Sequence, residues 1–190
     1  SETSTGVSHD VKALGELIKG YDNTILVVDA ITALGVFDIK TDAWGLDVVI
    51  TGSQKALMLP PGMAFVSVSD KAWALADKAK NAAFYFNFKK ERETQTKNQT
   101  AWTPTVSLIV GLQEVFRIMK AEGLENMFAR QGRLALAMRE GVKAAGMALF
   151  AKDSPSDALT AVCAPDGIDR QAIDRIHRVQ YGMTAAGGQD

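Results

Sequence analysis

The sequence predicts an α/β fold, with a mixed, mostly parallel sheet flanked by helices and part of a smaller α+β region after it. Three observations carry this. Two continuous apolar runs of strand length, "TILVVDA" and "LDVVITG", stand early in the chain, and unbroken runs of that kind suggest strands covered on both faces. A span of about seventeen residues from Asp29 to Leu46 is long enough for a crossover, so the two strands can run parallel. Beyond residue 100, two long helical stretches give way to short strands and a final helix.

The elements follow in order. "SETSTGV" is small and polar and reads as a loop. In "SHDVKALGELIKGY", Val11, Leu14, Leu17 and Ile18 recur at helical spacing, with Asp10 or Ser8 to cap the start and Gly20 to suit the end. "MAFVSVSD" is a third strand, and only "KALMLPPG" joins it to the second. That link is short for a crossover, so an antiparallel pairing is expected. "SDKAWALADKAK" reads as a helix capped by Ser69 or Asp70. Residues 87–101, "NFKKERETQTKNQTA", read as a long exposed loop, with the mixed charges of residues 89–93 solvated. "TPTVSLIVGLQEVFRIMKAEG" reads as a helix with Thr103 as cap and Pro104 at its first position. The next helix, "LENMFARQGRLALAMREGVKAAG", ends at Gly146. "MALFA" and "LTAVCAP" read as short strands and "DRQAIDRIHRVQYG" as a helix. This change of pattern puts a domain boundary near residues 130–150, giving 1–135 as part of a large domain and 136–190 as part of a small one.

Composition narrows the function. Hydrophobic content of 47% and charge of 23% fit an ordinary globular domain. A net charge of −1 offers no footprint for nucleic acid or an anionic membrane, so a small-molecule ligand is expected. The single cysteine, Cys163, excludes an internal disulfide framework and suits a reducing compartment: the cytoplasm or, in a eukaryote, an organelle. No apolar run approaches a membrane span, and polar residues follow Ser1 at once, so no signal peptide is visible. Ser1 does not look like a natural start, and the chain reads as a fragment.

Two residues stand out chemically. Asp29 ends "TILVVD", at the carboxyl edge of the predicted sheet, where open α/β folds bind ligands. The plain alternative is that it caps a turn at "AITALG". Lys55 lies just past the end of the neighbouring strand, in "TGSQKALMLPPG". Its plain alternative is a solvated lysine. Ser53 and Gln54 beside it, and the stiff apolar turn after it, point instead to a partly desolvated amine that can act as a nucleophile. A carboxylate and a lysine aimed into one crevice are the protein's half of a pyridoxal phosphate site. The lysine forms a Schiff base with the aldehyde, and the carboxylate keeps the pyridine nitrogen protonated. The lysine, once displaced by substrate amine, can shuttle the α-proton.

"ETSTG" at 2–6, "VVDAITALG" at 27–35 and "TGSQKALMLPPG" at 51–62 occur in that order, with "GLEN" at 123–126. Together they resemble the class V, fold-type I pyridoxal phosphate enzymes, and among these the alanine–glyoxylate, serine–glyoxylate and serine–pyruvate aminotransferases. The resemblance implies transamination between a small amino acid, serine or alanine, and a 2-oxo acid such as glyoxylate or pyruvate. It implies a homodimer. It makes Lys55 the Schiff-base lysine and Asp29 the partner of the ring nitrogen. Ile31 would pack on one ring face, Thr3 would bond near the phenolic oxygen, and Gln54 would touch the cofactor beside the lysine. Thr100 or Thr103 would reach the phosphate in the other subunit's site, although for Thr103 a helix cap competes.

Cysteine desulfurases of the same fold usually carry a histidine directly before the lysine and a mobile nucleophilic cysteine. Gln54 precedes Lys55 here, and Cys163 reads as part of a buried strand, which favours transamination over sulfur transfer. Lyase or desulfurase chemistry stays as an alternative. Some relatives carry the label of a soluble hydrogenase subunit, so a non-catalytic interaction subunit is a second alternative. No nickel or iron–sulfur ligand set is evident, so such a role would not be catalytic. His9 and His177 lie in polar helical contexts and read as solvated, and no cluster has metal-ligand spacing. Phe84, Tyr85, Phe86 and Trp102 read as core or dimer-surface residues.

The chain is about half the length the family needs. The family's phosphate-binding loop, its ring-stacking aromatic residue and the carboxylate-gripping arginine that follows a "GGQD"-like segment are absent. Arg130, Arg133 and Arg139 are not substitutes. The glycines of "AAGGQD" open no helix and make no phosphate cradle. The chain alone is therefore expected to be inactive and to expose apolar surface.

Overall fold

The computed structural model describes residues 1–188, so Gln189 and Asp190 of the terminal "GGQD" lie outside the described residues. The chain forms two compact units. One comprises Val11–Ile31 and Ile39–Glu122; the other comprises Ser1–Asp10, Thr32–Asp38 and the chain from Gly123 on.

The first unit holds α1 (Val11–Ile18), β1 (Val27–Asp29), β2 (Val48–Gly52), β3 (Ala64–Val68), α2 (Asp70–Lys78), α3 (Phe88–Gln95) and α4 (Val106–Glu122). Its sheet has the order β1-β2-β3 and is mixed, as expected. β1 pairs with β2 in parallel, with Asp29 opposite Ile50. β2 pairs with β3 antiparallel, with Gly52 opposite Ala64. β2 is the central strand and is nearly buried along its length. β1 is not covered on both faces as its apolar run suggests: Val28 is buried while Val27 and Asp29 are exposed. β1 pairs only with β2 among the described residues, which leaves its outer edge open.

Asp47 fastens the amino end of β2 and escaped the sequence analysis. It is buried, and its carboxylate accepts from the Leu26 N–H at 3.0 Å and the Ser69 hydroxyl at 2.8 Å. Lys71 Nζ stands 3.8 Å away. Ser69 is the N-cap of α2 and accepts from the Ala72 N–H at 3.1 Å. One carboxylate thus ties the entry to β1, the start of β2 and the cap of α2. Burial of an acidic side chain is tolerated because it is hydrogen-bonded and faced by a cation.

α1 packs through a glycine. Gly15 is its buried residue, while Leu14 and Leu17 are exposed, so the expected apolar face is only partly covered. A Cβ at Gly15 would stand 1.9 Å from the Trp44 carbonyl oxygen.

Residues 88–95 form a helix, which corrects the expected loop. Lys, Glu, Arg and Gln are good helix formers. A helix with no apolar stripe needs local support, and here it has several sources. The Asn87 side chain caps it by accepting from the Lys90 N–H. Glu93 pairs with Lys97 one turn on. Lys90 Nζ lies 3.9 Å from the Trp102 ring centroid and the Arg92 guanidinium 4.5 Å from that of Trp73. α4 begins at Val106, later than expected. The Thr105 carbonyl accepts from Leu108 and Ile109, so the cap falls at Thr105 and Thr103 is not the cap. The Pro104 carbonyl takes the Val106 N–H in a three-residue turn, which holds Pro104 outside the helix.

The second unit contains α5 (Leu124–Ala144), β4 (Ala148–Leu149), β5 (Val162–Cys163) and α6 (Arg170–Tyr181). β4 and β5 pair antiparallel. Met127, Ala135, Val142 and Ala151 are buried. Gly146, with φ of 76°, ends the turn after α5, where its N–H bonds the Lys143 carbonyl. The Asp169 side chain caps α6, and Gly182 closes it in the left-handed conformation. Large apolar side chains are exposed on helices of both units, among them Val106 and Val110 on α4 and Leu134 and Met138 on α5.

Two outcomes are expected from this packing. Gly15→Ala drives a methyl group into a fixed backbone carbonyl and should destabilise the protein by about 1–3 kcal/mol; a thermal unfolding scan checks it, and an unchanged midpoint would contradict the close approach. Asp47→Ala strands a buried N–H and hydroxyl, each worth about 1–3 kcal/mol when left unpaired, whereas Asp47→Asn keeps an acceptor and should lose less. Denaturant midpoints that fail to rank the two variants in that order would remove Asp47 from its proposed role.

Candidate active site

The parallel register brings the carboxyl ends of two strands to one edge of the sheet. β1 stops at Asp29, and β2 runs on to Gly52. β3 starts at Ala64 beside Gly52, so the 53–63 loop crosses the same carboxyl edge. Asp29, Ile31, Gln54 and Lys55 all belong to the first unit. Asp29 is exposed, and its Oδ1 accepts from the Ile31 N–H at 2.9 Å. It therefore does shape the turn, the plainer role raised from the sequence, while its second oxygen is left available. Ile31 is half-buried, and the fully buried Ala30 donates to the Ile50 carbonyl at 2.8 Å, extending the parallel ladder past the strand end.

The Lys55 loop is closed by Ser53. This residue is fully buried. Its hydroxyl donates to the Pro60 carbonyl at 2.7 Å and accepts from the Met63 N–H at 3.2 Å. Its own N–H bonds the Met63 carbonyl, and its carbonyl accepts from Leu59, both at 3.0 Å. Within the loop, the Met58 N–H bonds the Lys55 carbonyl at 2.9 Å, and Met58 has φ of 55°, rare for a residue with a side chain. Leu57 is buried beneath. α4 supports the loop from one side: a Cβ at Gly111 would come within 2.8 Å of the Leu59 Cδ2, and one at Gly62 within 3.0 Å of Leu108.

Lys55 itself is exposed, and its ammonium group makes no ion pair or hydrogen bond among the described residues. The expected partial desolvation is thus not found in this chain. Ser53 was expected to offer its hydroxyl beside the lysine, but the hydroxyl turns inward to the loop backbone. Gln54 is exposed and folds back over the end of β2, where a Cβ at Gly52 would stand 2.7 Å from its Oε1. Glycine at 52 gives that amide its room.

The threonines are arranged differently. Thr3 lies in the second unit, exposed in the turn of a Glu2–Val7 bridge. Its neighbours do loop chemistry: the Ser4 N–H and hydroxyl both donate to the Glu2 carboxylate, which holds that carboxyl below its ordinary range. Thr100 donates its hydroxyl to the Trp102 carbonyl, and Thr103 is exposed before α4. Trp102 stacks on Tyr85 at 5.0 Å between ring centroids and donates its indole N–H to the Tyr85 carbonyl. Phe84 and Phe86 are largely exposed, so these aromatic residues form a surface group and not a core. Thr100, Trp102 and Pro104 line a shallow cleft with Gln95 and Asn98, and neither Asp29 nor Lys55 is among its lining residues.

Other candidates separate cleanly. Cys163 is half-buried on the two-residue β5, which corrects its placement in a buried strand. Arg139 is tied to Asp157 at 2.9 Å and to the Ser156 carbonyl. No group of three or more metal-ligating side chains occurs among the described residues, and no helix there is long and apolar enough to cross a membrane.

An amine without a partner and a carboxylate with a spare oxygen at one sheet edge fit two needs of pyridoxal phosphate: a nucleophile for its aldehyde and an anion for its ring nitrogen. Comparison with known proteins gives the family. Residues 1–187 match the family described as "Aminotransferase class-V". The chain is 44% identical to the small subunit of a soluble hydrogenase from Synechococcus sp., across 100% of this chain and 50% of that protein. It is 36% identical to serine–glyoxylate aminotransferase from Hyphomicrobium methylovorum, across 97% of this chain and 47% of that protein. The crystal structure of alanine–glyoxylate aminotransferase from Nostoc sp. superposes with a TM-score of 0.90 at 29% identity, covering 100% of this chain and 51% of that one. The chain spans about half the length of the curated relatives it matches. A sheet edge bearing Asp29 and Lys55, a family match along nearly the whole chain and this superposition place the chain in the class V aminotransferase family, the fold-type I enzymes that depend on pyridoxal phosphate.

Proposed function

We infer that this chain is part of an enzyme that transaminates a small amino acid, serine or alanine, with a 2-oxo acid such as glyoxylate or pyruvate. The observation that carries the reading is the parallel register of β1 and β2, with Asp29 at the end of one strand and the Lys55 loop following the other. When bound, pyridoxal phosphate supplies an electron-withdrawing ring that takes up the electron pair released as the substrate loses its α-proton. Lys55 offers its Nζ as the nucleophile for the cofactor aldehyde and, once displaced by the substrate amine, carries the α-proton. The Asp29 carboxylate holds a proton on the ring nitrogen, since an adjacent anion favours the charged form of a base. Ile31 packs on the ring face, and Gln54 orients the cofactor beside the lysine. Thr3 serves near the phenolic oxygen, and Thr100 or Thr103 serves the phosphate of a neighbouring subunit in a cytoplasmic homodimer. Residues 1–135 then belong to the large cofactor-binding domain and 136–190 to the small one.

The 44% identity to a protein named as a soluble hydrogenase subunit favours a second reading, a non-catalytic interaction subunit. A third, lyase or desulfurase chemistry, has less support, because Gln54 stands where desulfurases usually carry histidine.

The readings part on two experiments. In the full-length protein with pyridoxal phosphate, serine or alanine plus glyoxylate should give the corresponding oxo acid and glycine. Lys55→Ala should cut that rate by about 100-fold or more. An oxo-acid yield indifferent to Lys55→Ala sinks the assignment, and no oxo acid with any donor leaves the interaction-subunit reading in its place. The 190-residue chain alone should show no transamination above the rate of free cofactor; turnover by that chain would refute its expected inactivity.

A further inference from the structure

The geometry points to Ser53 as the positioning residue that sets where Lys55 leaves the sheet edge. This rests on the assignment of Lys55 as the cofactor-binding amine. Ser53 makes four hydrogen bonds across the base of the loop: hydroxyl to Pro60 and Met63, N–H to Met63, and carbonyl to Leu59. Ser53 is itself fully buried, and the bonds of its hydroxyl to Pro60 and Met63 are partly buried, which limits the access of competing water. Lys55 stands just beyond this clasp and is exposed, with no side-chain partner among the described residues to hold it. Its aim therefore depends on the backbone that carries it. That backbone is not in a locally preferred shape, because Met58, bonded to the Lys55 carbonyl, sits at φ of 55°. Local preference alone would let it relax. The clasp at Ser53 and the contacts of Leu59 and Gly62 with α4 hold it instead. Ser53 touches neither the lysine amine nor the reacting atoms in this arrangement, so its effect passes through Lys55.

The test uses the full-length protein with pyridoxal phosphate. Borohydride reduction followed by peptide mass spectrometry reads how fast the Lys55 adduct forms. Hydrogen exchange reads the Leu59 and Met63 amides against those of Val49 and Ile50 in β2. Ser53→Ala should speed exchange at Leu59 and Met63 but not in β2, and should slow adduct formation at Lys55. It should lower kcat by about 10- to 100-fold, the scale of a small misplacement of a reacting group, with KM for the amino acid changed by less than about threefold. Met119→Ala, a core change two turns along α4 from the loop contact at Gly111, serves as a control for general destabilisation and should leave the adduct rate near that of the parent. If the alanine variant does not fold, Ser53→Cys keeps a weak donor on a slightly larger side chain and should show an intermediate loss. A parent protein that forms the Lys55 adduct while Ser53→Ala or Ser53→Cys matches its adduct rate and kcat overturns the positioning role alone. A parent that forms no adduct at Lys55 overturns the functional assignment, and the positioning role with it.

Discussion

The in-register pairing of β1 with β2 is the constraint on which the carboxyl edge depends. Side chains alternate along a strand, so a slip of one residue would turn Asp29 to the opposite face. It would also move the Lys55 loop relative to it. The apolar letters Ile25, Leu26, Val27 and Val28 do not by themselves state which of them stands opposite Val48. Asp47 supplies the missing specification. Its carboxylate takes the Leu26 N–H at the entry to β1, while its own chain opens β2. The pairing of Val27 with Val48 follows directly. The same carboxylate receives the Ser69 hydroxyl, so the end of β3 and the start of α2 are set from one point. A single buried acid at one end of the sheet thereby governs what stands at the other.

The edge where chemistry would occur is built from small residues and backbone bonds. Gly52 leaves room for Gln54, and Gly62 and Gly111 admit close contact between the loop and α4. Ser53 spends both its donors, and one acceptor site on each of its oxygens, on the loop that bears Lys55. Polar residues in "TGSQK" thus divide between two tasks. Ser53 turns in and shapes the backbone, whereas Gln54 and Lys55 turn out. An exposed lysine at a rigid backbone position suits a group that must meet an incoming aldehyde.

The stretch 87–101 shows where pattern reading stops. Its lack of an apolar stripe removes the usual signal of a helix. α3 forms because Asn87 caps it and because Lys90 and Arg92 lay their charges over Trp102 and Trp73. Neither ring is adjacent to its cation in sequence, so the support is invisible until the chain is folded. Thr103 and Pro104 show the opposite error. They carry a helix-start signature, but the turn closed by the Pro104 carbonyl moves the start to Val106.

The sequence by itself determined the order and type of most elements, the antiparallel return of β3, the caps at Ser69 and Gly146, and the two residues worth attention, Asp29 and Lys55. These follow from local rules, namely apolar periodicity, cap chemistry, connection length and motif, which act over a few residues. Tertiary structure decided the register, the open face of β1, the inward turn of Ser53, the exposure of Lys55 and the existence of α3. Each of these depends on contacts between distant segments, such as Asp47 with Leu26 and Ser69, Leu59 with Gly111, or Lys90 with Trp102. Residue type states what a side chain can bond, and only the folded chain selects which partner it meets.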